Sequence, residues 1–355
     1  MSTVTTPSLT EKKLPSRRNR RSFFLAALAV FVTGTAIGGY FPYLEQQGWE
    51  GALHGHEDRV FCVAFSPDSS LLASASRDTT VRLWDVATRK QRSILRHPDA
   101  VQSLAFSPDG KLLATAGKDG NVRVWDVGTA QERFVFTEHA HSQERKRSYE
   151  VHAVAFSPDG KTLASGGEDV TVRLFDLATG KQRLVLKNSE FFSFWSIAFS
   201  PDGTILAGSD QDGRITLWEP GTGKNLRVLH RRESIFPSKT MLAFAPDGKT
   251  LASGRYEDKL CLWDVATGKE RLLIDVSAYE WITSVAYSPE NKIVAGSAFR
   301  QRLVGFWDAQ NGQLLRTMRI NSGAIAFSTD GRFFATSRYE QIYLWSVAKL
   351  LPPGK

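Results

Sequence analysis

Two cysteines in 355 residues, Cys62 and Cys261, rule out a disulfide framework. Both stand in apolar, strand-like runs of separate repeats and read as buried thiols, which leaves the redox compartment open. The chain also lacks the glycine-rich loop that cradles phosphate at a helix start; its Gly-Lys pairs fall in turns between strands. Residues 44–355 have no strong charge of either sign, with 39 basic residues against 36 acidic ones. The formal net charge of +8 comes mostly from residues 1–43, where Lys12, Lys13, Arg17, Arg18, Arg20 and Arg21 oppose Glu11 alone. A body so nearly balanced has no electrostatic footprint for DNA or RNA, so nucleic acid is not an expected partner.

Charge is absent altogether from Phe23 to Tyr43, a run of 21 residues. As a helix rising about 1.5 Å per residue it would span about 30 Å, the thickness of a bilayer hydrocarbon core. Tyr40, Pro42 and Tyr43 sit at its far end, where interfacial aromatics are expected. All six basic residues precede the run, whereas Glu45 and Glu50 follow it. That bias predicts a single-pass signal anchor with a cytoplasmic N-terminus and an extracytoplasmic body. A cleaved export signal is the alternative, because Asn19-Arg20-Arg21-Ser22-Phe23-Phe24-Leu25 resembles a twin-arginine address; the product would then be secreted.

Seven dipeptides punctuate the rest: Trp84-Asp85, Trp125-Asp126, Phe175-Asp176, Trp218-Glu219, Trp263-Asp264, Trp307-Asp308 and Trp345-Ser346. Their separations are 41, 50, 43, 45, 44 and 38 residues, a period suited to four-stranded propeller blades. Each follows a Phe-Ser-Pro-Asp-Gly-like turn by 18 to 20 residues. In Ser107-Pro108-Asp109-Gly110 the proline presets one turn position and the glycine takes the left-handed one. Gly160, Gly203, Gly248 and Gly331 repeat that glycine, with Asn291 and Ser69 in its place elsewhere. Such punctuation predicts an all-β fold. After Trp345 the chain is too short for another outer strand, so Trp49–Leu53 is expected to complete the last blade and remove two sheet edges.

Over residues 49–349 the chain resembles a seven-bladed propeller of the WD40-repeat family. That resemblance implies a hydrogen-bonded relay inside each blade. His56, Ser74, Asp78 and Trp84 match it in blade one; His97, Thr115, Asp119 and Trp125 match it in blade two. Blade three keeps Ser165 and Asp169 but has Phe175 and no histidine. The resemblance also implies partner binding on the rim, where the residue before the tight-turn Asp meets the residues entering the inner strand. The rim candidates are Arg59, Arg77, Lys118, Phe192, Tyr256, Trp281, Arg300 and Tyr339. Arginines and exposed aromatics dominate interface energetics.

Catalytic parts are scarce. Ser, His and Asp recur at relay positions, so an apparent triad already has a structural account. His139-x-His141, with Glu138 and Glu144, lies in the one long insertion, residues 137–150, without ordered ligand spacing. No catalytic residue, metal or cofactor is expected. The expected organisation is a basic tail (1–22), a membrane helix (23–43), a linker (44–48), the propeller (49–349) and a short tail (350–355). The function expected is that of a membrane-tethered, non-enzymatic scaffold for a protein or peptide. The alternatives are an exported propeller enzyme, a carbohydrate- or metal-binding protein, and a cytoplasmic interaction hub.

Overall fold

The computed structural model describes residues 48–139, 149–187, 192–229, 240–255, 259–276, 282–298, 302–320 and 322–351. They fold into seven four-stranded antiparallel sheets. Six sheets use strands consecutive in sequence; blade one, for example, is Val60–Phe65, Leu71–Ser76, Thr80–Asp85 and Gln91–Arg96. The seventh joins the two ends of the array. Ile325–Phe327, Phe333–Arg338 and Gln341–Ser346 are completed by Trp49–Leu53, which pairs with Gln341–Ser346. Inner strands contact one another in chain order, and Val60–Phe65 meets Ile325–Phe327 to close the circle. The fold is an all-β, seven-bladed propeller.

Burial changes outward across each blade, and the sequence follows it. The second strand of blade one, LLASAS, is buried at every position, so its small residues let neighbouring sheets approach on both faces. The outer strand QRSILR is exposed or half-buried except at Leu95. Apolar clusters form between blades rather than within them. One joins Leu53 and Ile342 of blade seven to Val60 and Trp84 of blade one. Between blades six and seven, Phe306 meets Phe327 and Phe334 edge-on, with ring centroids 6.4 and 5.0 Å away. The predicted turn glycines take the left-handed conformation, Gly110 with φ 70° and Gly203 with φ 73°.

Arginines on the outer strands of blades three to six each reach the following blade, and nothing in the repeat motif announces them. Arg183 Nη2 donates to Pro220 O at 2.8 Å, and Arg227 Nη1 to Ala266 O at 2.7 Å. Arg271 reaches Ala309 O, and Arg316 Nη1 donates to Leu350 O at 2.6 Å. Each guanidinium satisfies a main-chain carbonyl one blade on, in a turn or, for Leu350, at the end of the short helix Val347–Leu350, a charge-assisted bond that locks neighbouring sheets in register.

Among the described residues no helix is long and apolar enough to cross a membrane. The membrane helix expected at residues 23–43 lies outside the described residues.

Candidate functional site

A four-membered polar relay lies in blade one. Trp84 Nε1 donates to Ser74 Oγ at 2.8 Å, and Ser74 Oγ lies 2.7 Å from His56 Nε2. His56 Nδ1 lies 2.8 Å from Asp78 Oδ2. A carboxylate only accepts, so Nδ1 carries the proton, and the serine oxygen accepts from the indole; in the neutral imidazole Nε2 accepts from the serine hydroxyl. Burial works against ionising Asp78, but bonds from His56, Thr80 and the Glu57 amide outweigh it and hold the carboxyl well below the usual range.

Blades two and three depart from the sequence expectation in opposite directions. In blade two, His97 Nε2 and Trp125 Nε1 meet Thr115 Oγ1 at 2.8 and 2.9 Å. Asp119 does not complete this relay. It turns to Arg123 Nη1 at 2.6 Å, while His97 Nδ1 lies 3.3 Å from Leu95 O. The buried guanidinium outcompetes a neutral imidazole for the carboxylate. Burial, with the charge of Arg123 added, pushes His97 down to about 4. Blade three does have a histidine. His139 Nε2 lies 2.7 Å from Ser165 Oγ and Nδ1 2.9 Å from Asp169 Oδ1. The histidine considered above as a loop ligand is a buried relay member. Its spacing of 26 residues to the serine, against 18 in blades one and two, hid it. Counting from the preceding outer strand would have found it, since His139 follows Phe136 by three residues just as His56 follows Leu53.

Ser74–His56–Asp78 and Ser165–His139–Asp169 have the distances of hydrolytic triads, yet both serines are fully buried. A nucleophile must reach its substrate, and these hydroxyls face only protein. The groups hold blades together.

On the rim, one backbone bond repeats. The amides of Arg77, Lys118, Glu168 and Gln211 donate to the carbonyls of Arg59, Ala100, Glu150 and Ser193 at 2.8 to 3.0 Å. The two kinds of rim position named in the sequence therefore lie side by side in blades one to four. Tyr339 O accepts from Val60 N at 2.7 Å, which sets Tyr339 beside the Arg59–Arg77 pair. Arg77 and Tyr339 are well exposed, and Arg59 and Phe192 are half-buried. Lys118 is drawn to Glu150, with Nζ 3.3 Å from Oε1. Tyr256, Trp281 and Arg300 lie outside the described residues.

The inner strands carry a feature that the sequence did not reveal. Pairing shifts register between Val101 and Ser103, Val151 and Ala153, and Phe194 and Ser196, so Gln102, His152 and Trp195 are bulge residues. The three form a continuous string across blades two to four. Gln102 Oε1 lies 2.9 Å from His152 Nδ1, and the His152 and Trp195 rings stack at 3.8 Å. Glu150 and Glu168 gather beside His152, with ligand-type atoms of all three within 4.8 Å of one another.

Known proteins share this chain's repeats over short stretches. The Notchless protein homolog of Arabidopsis thaliana is 61% identical over 36 residues, 10% of this chain and 8% of that protein. A nuclear distribution protein of Cryptococcus neoformans is 40% identical over 75 residues, 21% of this chain and 17% of that one. A probable cytosolic iron-sulfur protein assembly protein homolog of Chlamydomonas reinhardtii is 62% identical over 34 residues, 10% of each chain. The matched segments span less than a fifth of each relative's length. Residues 50–85, 89–126, 132–176, 180–219 and 230–264, more than half of the chain, match the WD domain, G-beta repeat family, and the chain belongs to that family.

Proposed function

We propose that this protein is a non-enzymatic scaffold, held at a membrane through residues 23–43 with its propeller on the extracytoplasmic side, that binds a protein or peptide on its rim. The observation that carries this reading is the repeated rim bond. The 2.8 Å contact between the Arg77 amide and the Arg59 carbonyl sets two guanidinium-bearing residues together, with Tyr339 next to them. Arginine and tyrosine on a rigid rim supply large contact area at low ordering cost. The buried relays support the non-enzymatic part, because they absorb the residues that nucleophilic catalysis would need. The membrane part rests on the uncharged run and the one-sided cluster of six basic residues before it.

Crosslinking and capture from intact membranes tests the rim, comparing wild type with Arg59, Arg77, Arg300 and Trp281 changed to alanine. The reading expects specific captured proteins to disappear from the variant; identical captured sets overturn the rim. Protease added to intact spheroplasts tests the orientation: cleavage of the propeller is expected, and protection until lysis overturns it.

A further inference from the structure

We propose that Glu150, His152 and Glu168 form a binding site for a divalent transition-metal ion of the zinc type at the edge of blade three. The proposal stands apart from the scaffold reading and does not depend on it. The three residues reach one point by different routes. Glu150 and His152 flank the start of the inner strand Val151–Phe156, and the bulge there re-aims His152. Glu168 follows the second strand, Thr162–Gly167, and its amide donates to Glu150 O at 2.9 Å, which fixes the two backbones together.

Hydrogen bonding sets the tautomer of the imidazole. Gln102 Nε2 donates to Glu150 Oε2 at 2.5 Å, and since a carboxylate only accepts, the amide nitrogen must face it. Gln102 Oε1 is thereby turned to His152 Nδ1 at 2.9 Å, and a carbonyl oxygen only accepts, so Nδ1 carries the proton. In the neutral ring the lone pair then resides on Nε2. Trp195, stacked at 3.8 Å with planes 13° apart, fixes the ring's orientation. A hydrogen bond from the far nitrogen and a fixed ring plane are the supports that metal-binding histidines use.

Lys118 shows independently that the place attracts positive charge. Its ammonium, on a side chain 42% exposed, sits 3.3 Å from Glu150 Oε1 and can swing to solvent when a metal arrives. Ligand chemistry narrows the ion. Calcium takes six to eight oxygens and magnesium an octahedral oxygen shell, whereas one imidazole with two carboxylates suits zinc, leaving a fourth position for water. Zinc bonds of about 2.1 Å in a tetrahedron set ligands about 3.4 Å apart. The three residues offer ligand-type atoms within 4.8 Å of one another, so the half-buried glutamates must close by up to about 1.4 Å.

The test is calorimetric titration of the chelator-treated, full-length protein with zinc chloride. Wild type should bind with an affinity that the Glu150→Gln, Glu168→Gln double variant lowers at least 100-fold. Lys118→Met, which removes the competing ammonium, should tighten binding about tenfold. Loss in the double variant with gain in Lys118→Met supports the site. Equal zinc affinity in the double variant and wild type, or no zinc binding by wild type, overturns it. Should the double variant fail to fold, Lys118→Met decides alone: tighter binding supports the site, and unchanged binding overturns it.

Discussion

His139 Nε2 lies 2.7 Å from Ser165 Oγ, although 26 residues separate them. The pair is buried, so removing the histidine leaves a hydroxyl and the Asp169 carboxylate short of a partner. His139→Ala should destabilise the protein by about 2 kcal/mol, and His56→Ala by a similar amount. Ser165→Ala should then cost little in the His139→Ala background. A urea-unfolding double-mutant cycle measures the coupling, expected at about 1 kcal/mol or more. Independent effects would mean that the two side chains do not act as a pair.

That relay also shows where the sequence was readable. Turn glycines and Trp-Asp dipeptides act within a few residues, so the seven blades appeared directly from their period. The blade-one relay appeared because its spacing was intact. The blade-three relay did not, since residues 140–148 separate its histidine from the inner strand. The inter-blade arginines were invisible for another reason: their acceptors are main-chain carbonyls, which every residue type supplies. The same holds for Glu150, His152 and Glu168, which meet only through a bulge that no local pattern marks. Of the rim candidates, Arg59, Arg77 and Tyr339 came together because Arg77 and Tyr339 stand at tight turns whose backbone bonds to the strand entry at Arg59 and Val60.

Val170 stores strain at one such turn. Its φ of 59° is left-handed, whereas the equivalent positions in blades two and four hold Gly120 at 75° and Gly213 at 77°. A β-branched residue there costs about 1–2 kcal/mol. Val170→Gly should therefore stabilise the fold by about 1 kcal/mol even after glycine's greater unfolded freedom is counted. Differential scanning calorimetry should show a melting point higher by about 2 °C. A lower melting point would show that the valine side chain contributes more than its backbone costs.

His97 and Asp210 pull stability in opposite directions over one pH range. Burial first, then Arg123, pushes His97 from 6.5 to about 4. The unfolded chain takes up that proton below 6.5 while the folded protein refuses it, so stability falls as pH drops from 6.5 towards 4. Burial pushes Asp210 from 3.8 up to about 6, against hydrogen bonds from the Asp212 and Arg214 amides. Here the folded state keeps the proton longer, so its contribution is full below 3.8 and is lost as pH rises through about 6. Each shift corresponds to at most about 3 kcal/mol. Asp210→Asn should raise stability at pH 7 and lose that advantage near pH 4. His97→Gln should flatten the loss on acidification. Melting points from pH 4 to 7.5 check both, and parallel curves for all three proteins would refute the opposition.

The inter-blade arginines should be separable. Arg227 Nη1 donates to Ala266 O at 2.7 Å, and its aliphatic stem packs on the Gly268 turn. Arg227→Met keeps most of the stem and removes the bonds, for an expected loss of about 1–2 kcal/mol. Arg183→Met acts at a different blade junction, so the two losses should add within about 0.5 kcal/mol. Chemical denaturation of the single and double variants checks this. A double variant no worse than either single would show that the bonds do not act independently.

Circular closure depends on the pairing of Trp49–Leu53 with Gln341–Ser346, which sets Trp49 opposite Trp345 and Leu53 opposite Ile342. Leu53 is buried in the cluster shared with Val60 and Trp84. Glu50 adds ion pairs to Arg89 at 3.4 Å and to Lys349 at 3.0 Å, but these are solvent-facing and contribute little. Backbone pairing and apolar burial therefore outweigh charge at the seam. Glu50→Ala should cost less than 1 kcal/mol. A chain beginning at Gly48 should fold as a monomer, whereas one beginning at His54 leaves Gln341–Ser346 as an open edge and should aggregate or melt well below it. Size-exclusion chromatography and thermal melts of the two truncations decide the matter, and equal behaviour would show that the seam strand is dispensable.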